Sequence, residues 1–363
     1  MPNRSQLQSG ALLALLLAAC HSPGPEAIRE ERRSFNEAVQ RTNDEQLLLN
    51  IVRLQYRDTP YFLELTSISS SLSYELEGGL SPTLIEGGRN TLGLEGVVTI
   101  SNSPTVTYTP LQGNDFVHQL LTPLELRTLA LLYNSGWSVE RVLRLCVQSL
   151  QGIPNARSAS GPTPEQAPVY ERFREVAALL RRLQLRGALE LGEIAPGPGD
   201  ESAGLRLRIA PEAHGSPEDR RLRELLGLGP DGSDFEIRRR ILSGGGDALS
   251  ILPRSLMGIL FYASQAVDVP ARDREAGRVT RTRDAGGAVF DWELLFDSLL
   301  DVRCSLERPR DAYVAVHYRD AWFYVADDDL DSKSTLTLLN QLFALQSGDI
   351  ESRAPVLTLP IGG

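Results

Sequence analysis

The sequence predicts an α+β protein. An N-terminal amphipathic helix and a β-rich segment lead into a mixed core of helices and antiparallel strands, and a C-terminal β-meander plus helix follow. Three observations predict this class. Apolar residues recur with helical spacing over residues 28–57, period-two patterns separated by glycines dominate residues 61–110, and both kinds of pattern alternate over the remainder. With 363 residues, of which 42% are hydrophobic, the chain can build a large core.

The charge balance excludes one class of partner. The chain carries 37 Lys and Arg residues against 47 Asp and Glu, a formal net charge of −10. Nucleic-acid phosphates are bound by basic surfaces, so this balance excludes nucleic acid as a general partner. Lys333 is the single lysine of the chain, and we ascribe the arginine bias to genome base composition.

The first twenty residues predict where the protein is located in the cell. Arg4 gives a short positive segment, and residues 11–19 form an apolar run of the length of a signal-peptide core, too short to span a bilayer as a helix. The run ends in small residues followed by a cysteine: Leu17, Ala18, Ala19 and Cys20. This block resembles the bacterial lipobox.

The lipobox resemblance implies that the signal peptide, residues 1–19, is removed, and that Cys20 becomes a diacylglyceryl cysteine carrying acyl chains such as palmitate. Several acyl chains anchor a protein stably to a membrane. Residues 20–27 would form a tether. His21 follows the cysteine, which by resemblance to the sorting rules of enteric bacteria favours the outer membrane, facing the periplasm. An ordinary secretory signal with a chance cysteine is the alternative.

The N-terminal region, residues 28–155, opens with a helix and continues with strands. Thr59-Pro60 ends the predicted helix, because the residue before a proline disfavours the helical conformation. Several short stretches then alternate between apolar and polar residues, as strands do. The alternating apolar residues are Tyr61, Leu63, Leu65, Leu72, Tyr74, Leu76, Leu92, Leu94, Val98, Ile100, Val106 and Tyr108.

Two hypotheses follow for residues 61–110. In one, the segment inserts into the outer membrane as part of an oligomeric barrel, whose strands need about nine to eleven alternating residues. In the other hypothesis, the segment forms a soluble sheet with one face exposed to water. Serines at 69–71 and Pro104 interrupt the patterns, and these interruptions favour the soluble sheet.

Helices are predicted next. Asn114 is suited to cap one helix, Pro123 to begin a second that Gly136 ends, and Ser138 to cap a third. Residues 143–150 have the composition of a strand.

A linker is predicted at residues 156–168, which are small and proline-rich. The C-terminal region, residues 169–363, is predicted to be mixed α+β. Its elements are a helix at 169–185, strands at 188–193 and 205–209, a buried helix at 254–265, a mobile polar loop at 270–287, strands at 301–305, 312–318 and 322–325, and a helix at 336–345.

The remaining cysteines, Cys146 and Cys304, lie in apolar surroundings. They are predicted either as two buried free thiols or as a disulfide, which an oxidising periplasm permits. No cysteine–histidine cluster predicts a metal site, and no cofactor motif is present.

Catalytic signals are weak. The acidic run at 327–331 lacks the glycine and the glutamate of a calcium loop, and it precedes a helix that it is suited to cap. His118 and His317 stand in no HExxH motif, and no GxSxG motif or P-loop occurs. The catalytic residues of any enzyme activity therefore stay unassigned.

Three blocks of the chain resemble blocks shared by an uncharacterised family of Gram-negative bacterial lipoproteins. These blocks are residues 45–60 (EQLLLNIVRLQYRDTP), residues 322–339, which include Trp322-Phe323-Tyr324 and Ser332-Lys333-Ser334-Thr335, and residues 355–360 (PVLTLP). The resemblance implies an envelope location but no activity.

We therefore expect a lipid-anchored envelope protein, a non-enzymatic structural or assembly component that binds other envelope proteins or itself. The first alternative is a subunit of an oligomeric outer-membrane channel or export complex. The second is an envelope hydrolase, which requires a concave site with perturbed carboxylates or histidines.

Overall fold

The computed structural model describes residues 24–83, 91–194, 204–230, 232–239, 248–347 and 357–360. The signal peptide and residues 20–23 of the predicted tether, with Leu17, Ala18, Ala19 and Cys20, lie outside these residues. The prediction of a tether over residues 24–27 is wrong, because these residues belong to the first helix. Within the described ranges the chain forms ten α-helices and mostly antiparallel strands, which confirms the α+β class. None of the described helices is long and apolar enough to cross a membrane.

The N-terminal half begins with a long helix and a long hairpin. Its elements are α1 (Gly24–Gln55), β1 (Phe62–Thr83), β2 (Thr91–Leu111), α2 (Asn114–Leu121), α3 (Leu126–Asn134), α4 (Val139–Cys146), β3 (Val147–Leu150) and β4 (Ile153–Pro154). Ser138 caps α4 as predicted, because its hydroxyl accepts from the Arg141 amide. The strand predicted at 143–150 is shorter, since α4 continues to Cys146. Gly113, not Asn114, occupies the N-cap of α2.

The C-terminal half alternates strands and helices. Its elements are α5 (Glu171–Leu185), β5 (Leu189–Ile194), β6 (Gly204–Ile209), α6 (Pro217–Leu226), β7 (Asp234–Arg239), β8 (Ala248–Pro253), α7 (Leu256–Ser264), α8 (Ala271–Glu275), α9 (Glu293–Phe296), β9 (Arg303–Ser305), β10 (Ala312–Tyr318), β11 (Ala321–Ala326), α10 (Leu330–Ser347) and β12 (Leu357–Pro360).

The described strands form three sheets. The largest has the order β4-β3-β8-β7-β6-β5 and is antiparallel except for the β7–β8 pair. The predicted C-terminal strands form a sheet of order β10-β11-β9, so that β11 is central. The third sheet has the order β1-β2-β12 and joins the hairpin to the end of the described chain.

One hydrophobic core runs through the described part of the chain, from Leu47 in α1 to Leu342 in α10. The segment 156–168, predicted as a linker, belongs to this core. It contains a 3-10 turn (Arg157–Ser160), and Ala156 before the turn and Ala159 within it are fully buried. Small residues allow the turn to pack closely against α7. The linker prediction is therefore wrong, and the two predicted regions share one core.

The segment 270–287 is also attached to the body, although its composition predicted an exposed mobile loop. It contains α8, and both Asp273 and Thr282 are buried. The Ala167 amide donates to the Arg283 carbonyl at 2.8 Å. Composition hid these contacts, because backbone groups and a few buried polar side chains make them.

Asp273 predicts acid sensitivity of this attachment. Its fully buried carboxylate accepts from the Tyr56 hydroxyl (2.8 Å) and the Arg278 guanidinium (2.6 Å). Burial alone raises the pKa of Asp273, but these two hydrogen bonds and the nearby arginines outweigh burial and lower it. A carboxylate with a lowered folded-state pKa stabilises the protein above the unfolded value of about 3.9 and stops doing so as the pH falls through the folded value.

We therefore expect Asp273→Asn to lower the free energy of unfolding by about 1–3 kcal/mol at pH 7, and by progressively less below pH 4. Urea unfolding at pH 7, 4 and 3 measures this difference. Asp311→Asn, at an exposed position, is the control and should change little at any pH. An equal loss for Asp273→Asn at all three pH values would contradict the assignment.

The two cysteines of the body are free. Cys146 is fully buried at the end of α4, and burial raises the pKa of its thiol to about 12. Cys304 is partly buried on β9, where its thiol donates to the Asp268 carboxylate at 3.2 Å. The disulfide alternative is wrong, because each sulfur has a separate environment.

Candidate functional site at the hairpin and its base

The hairpin formed by β1 and β2 is the longest β-structure described. Its strands contain 22 and 21 residues and are paired from Phe62 and Leu111 at the base to Thr83 and Thr91. At about 3.4 Å per residue the paired strands span roughly 70 Å. The prediction of short, interrupted strands is therefore wrong, since pairing continues through both interruptions.

The register sorts residue types onto two faces. From Ser67 upwards, odd-numbered positions pair with odd-numbered positions and even with even. The even-numbered pairs are mainly apolar: Ile68–Val106, Leu72–Asn102, Tyr74–Ile100, Leu76–Val98 and Leu80–Leu94. The odd-numbered positions hold Ser, Thr, Gly and Glu, with Val97 as the exception. Because alternate positions of a strand lie on opposite faces, the hairpin has one apolar and one polar face.

A β-bulge explains why the sequence pattern looked broken. The register shifts between Leu65 and Ser67. A bulge inserts one extra residue into one strand. Below it Leu65 pairs with Tyr108, and above it Ile68 pairs with Val106, so both partners hold even-numbered positions of β2. The apolar residues that pair with even-numbered positions of β2 are therefore odd-numbered below the bulge and even-numbered above it, and they share one face of the hairpin.

Both outer edges of the hairpin are open over most of its length. Among the residues that the structure describes, no strand pairs with the outer edge of β1, and β12 covers the outer edge of β2 only at residues 105–108. Open edges present unpaired N–H and C=O groups to any further strand. An isolated two-stranded hairpin is also marginally stable in water. Among the described residues, the upper hairpin therefore has two strand edges that no other strand covers.

Two amide side chains of α1 close the lowest part of the β1 edge. Asn50 donates to the Tyr61 carbonyl (2.8 Å) and accepts from the Tyr61 amide (2.9 Å). Gln46 makes the same pair of bonds to Leu63, at 3.1 and 2.7 Å. Four helical residues rise about 6.0 Å and two strand residues about 6.8 Å, so the two amides match the backbone spacing of the strand. We call these two residues the amide clamp.

Removing the clamp should loosen the hairpin base. Asn50 is buried, so Asn50→Leu leaves the Tyr61 amide and carbonyl without their partners, at a cost of about 1–3 kcal/mol. We expect the Tyr61 amide to exchange its hydrogen roughly tenfold faster for each 1.4 kcal/mol lost. Hydrogen exchange of a peptide covering residues 57–65 measures this. The exposed Asn43→Leu is the control on the same helix, and equal exchange in both variants would contradict the clamp.

The inner side of the base is anchored by an aromatic cluster. Phe62, the first residue of β1, is buried, and its ring lies 4.7 Å from that of Phe343 in α10 and 6.2 Å from that of Phe116 in α2. On the far side, β12 pairs with β2. The hairpin is thus held by packing at its base and by strand pairing along one edge.

A buried polar group fastens α1 to the C-terminal elements beside the base. The Asp44 carboxylate accepts from the Tyr313 hydroxyl (2.7 Å) and from Asn340 (2.6 Å). Burial, with the Asp44 bond, raises the pKa of Tyr313 to about 12, so the phenol keeps its proton at neutral pH. The Lys333 ammonium lies 4.9 Å from the Tyr313 ring centre and bonds to Asp327 at 2.7 Å.

α1 points the same way as the hairpin. Asn50 lies beside Tyr61, whereas Phe35 and Val39, further towards the N-terminus, line a cavity with Ile68 of β1. Earlier residues of α1 therefore lie beside later residues of β1. The N-terminal end of α1 and the Thr83–Thr91 end of the hairpin therefore leave the body on the same side.

Residues of all three sequence blocks that resemble lipoproteins lie in or beside this base. The amide clamp belongs to the first block, Lys333 to the second, and β12 to the third. The sequence did not predict this grouping, because about 260 residues separate the first block from the second along the chain.

The other candidate positions have structural roles in the described chain. Asp329 accepts from the Ser332 amide at 3.0 Å, so the capping role predicted for the acidic run is confirmed. His317 lies against the ring of Trp322. In the described ranges no group of three His, Cys, Asp or Glu side chains is placed to hold a metal ion.

A large cleft of about 1090 Å³ is lined mainly by residues between α7 and the start of α10. Several of its carboxylates face arginines: Asp268 bonds Arg274 at 2.9 Å, and Asp301 bonds Arg303 at 2.7 Å. No histidine lines the described part of this cleft. The ion pairs hold Asp268 and Asp301 as structural groups. The Ser332 hydroxyl, which also lines the cleft, donates to the Asp329 carboxylate at 2.5 Å, and this pair caps the start of α10.

Comparisons with protein-family models, with curated proteins and with solved structures found no match. The lipoprotein resemblance therefore stays a prediction.

Proposed function

We propose that this protein is a lipid-anchored component of the outer membrane that inserts its long hairpin into the bilayer and keeps its body in the periplasm as a structural or assembly subunit. The observation that carries the proposal is the hairpin, with its apolar face, its polar face and its open edges. It favours the membrane hypothesis for residues 61–110 over the soluble sheet.

The length of the hairpin suits a bilayer. Above the base, residues 69–83 and 91–105 are paired, fifteen on each strand. They span about 50 Å. A membrane strand needs about nine to eleven tilted residues, and the apolar band of such proteins is about 25 Å tall. The hairpin is therefore long enough to cross the membrane and extend beyond it.

The direction of α1 supports the same arrangement. Gly24, where α1 begins, follows Cys20 by four residues. Because α1 and the hairpin leave the body on one side, a lipid on Cys20 would hold the hairpin against the membrane. The body would then lie on the periplasmic side. An envelope hydrolase gains little support, since Asp268 and Asp301 of the large cleft are held in ion pairs and Asp329 caps α10.

The test separates the hairpin from the lipid. A Cys20→Ser form, exported behind an ordinary secretory signal peptide, lacks the anchor but keeps the hairpin. A matched form also has residues 70–104 replaced by Asn-Gly, a two-residue hairpin turn. We expect the first to resist alkaline extraction from outer membranes and the second to be released as a folded protein. Equal release of both forms would contradict membrane insertion.

A further inference from the structure

The open edges of the hairpin carry a consequence inside a membrane, which rests on the proposed function. Lipid offers no hydrogen-bond partners, so every backbone N–H and C=O group of an inserted strand must be paired within protein. Each outer edge of the hairpin therefore needs a neighbouring strand. That strand must be about as long as the hairpin and must alternate between apolar and polar residues in step with it.

A second copy of this chain meets both requirements. The free edge of β1 runs over residues 67–83 and that of β2 over residues 91–104, so the two edges have similar lengths. Both strands carry their apolar residues at the same parity above the bulge. We infer that the partner of the hairpin is another copy of this chain, with the outer edge of β1 pairing with the outer edge of β2 in the next copy.

The faces decide between the possible pairings of two copies. Copies anchored in one leaflet have hairpins that point the same way. Two copies related by a two-fold axis along the membrane normal would pair β1 with β1. Their apolar faces would then lie on opposite sides of the combined sheet. Pairing β1 with β2 of the next copy keeps every apolar face on one side. This head-to-tail contact closes into a ring when the rotation closes.

The base limits the contact. The amide clamp occupies the β1 edge at Tyr61 and Leu63, and β12 occupies the β2 edge at residues 105–108. Pairing between copies is therefore confined to the part of the hairpin that projects from the body. The smallest closed membrane sheets have about eight strands, so a ring needs roughly four copies or more.

The test uses full-length lipoprotein with one cysteine in each hairpin. One tagged variant carries Ser73→Cys, and a second carries a cysteine at one position of a panel from 97 to 103. Both carry Cys304→Ser, and Cys146 is buried. After co-expression and mild oxidation of the membranes, only contacts between copies give a dimer band. Alkaline extraction of matched forms without the anchor reports insertion separately.

We expect cross-linking of Ser73→Cys to odd-numbered panel positions and not to the even-numbered positions between them. Ser73→Cys expressed alone should not cross-link to itself. If the hairpin resists extraction but no panel position cross-links, the inference is overturned and the proposed function stands. Self-cross-linking of Ser73→Cys would overturn the head-to-tail ring. If the hairpin is extracted, the proposed function itself fails.

Discussion

Tyr74→Arg should abolish integration of the hairpin into the membrane, whereas Ser73→Arg should leave it intact. The two positions are adjacent, but Tyr74 pairs with Ile100 on the apolar face and Ser73 with Ser101 on the polar face. An arginine facing lipid near the bilayer centre costs about 2–4 kcal/mol, and one facing a wet interior costs much less. The expected difference comes entirely from the face of the strand on which the arginine lies, since the new side chain is the same at both positions.

The measurement is the fraction of protein that resists alkaline extraction, in the form that lacks the lipid anchor. Wild type is expected in the membrane fraction, Ser73→Arg with it, and Tyr74→Arg in the soluble fraction. Tryptophan fluorescence is the control for folding, because Trp137, Trp292 and Trp322 all lie in the body. Equal extraction of both arginine variants would contradict the assignment of the two faces.

Arg254→Leu should be the most destabilising single change in the body. Arg254 is fully buried, and burial lowers the pKa of its guanidinium to about 10, so it remains charged at neutral pH. Its Nη1 donates to the carbonyls of Arg144 (3.1 Å), Leu145 (3.0 Å) and Val147 (2.7 Å), and Nη2 to that of Asn155.

These carbonyls explain why a charged side chain is buried at position 254. The last carbonyls of a helix have no partner within it, and α4 ends inside the core. Arg254 supplies donors to them and favours the negative end of the helix dipole. Its guanidinium also lies 4.1 Å from the ring centre of Tyr262, and the face of an aromatic ring stabilises a cation. The residue is thus a buried cap for α4.

Leucine fills part of the same volume but donates nothing. Each buried carbonyl that loses its donor costs about 1–3 kcal/mol, and four carbonyls lose it, so we expect a loss of at least about 4 kcal/mol in the free energy of unfolding. Arg254→Lys should recover little, because an ammonium cannot reach all of the carbonyls. Guanidinium unfolding followed by tryptophan fluorescence measures the change. Arg157→Leu, at an exposed position nearby, should change stability by under about 0.5 kcal/mol, and similar losses for both would contradict the capping role.

Local patterns predicted most of the C-terminal half. The strand 312–318 matches β10, and the strand 322–325 and the helix 169–185 differ from β11 and α5 by one or two residues at their ends. Each of these segments has one buried face with regular spacing, so periodicity alone identifies it. β7 and β8 were missed, because β7 is short and half exposed and β8 is almost entirely buried, and neither repeats a clear alternation.

The hairpin could not be recognised from one strand at a time. Ser70 and Pro104 look like interruptions along the chain, yet they stand opposite each other in the register. Gly78 and Gly96 are paired in the same way. Such matches depend on the pairing of residues far apart in sequence, and the bulge after Leu65 shifts the apparent period.

The base of the hairpin was predictable only in part. The block at 45–60 drew attention through resemblance, but the roles of Gln46 and Asn50 depend on the place of β1 beside α1. Amides on a helix usually face solvent, so their spacing of four residues gives no signal alone. The role of Arg254 could not be predicted for a similar reason, since its partners are backbone carbonyls that no sequence pattern indicates.

The most direct test of the central claim is the environment of the hairpin, residue by residue. A nitroxide spin label is placed in turn at each position from 70 to 77 of the lipoprotein in membranes, in a Cys304→Ser background. Collisions with oxygen report contact with lipid, and collisions with a water-soluble nickel chelate report contact with water. Insertion predicts that oxygen contact peaks at even positions and chelate contact at odd positions. Chelate contact at every position would show a hairpin in water and contradict the account.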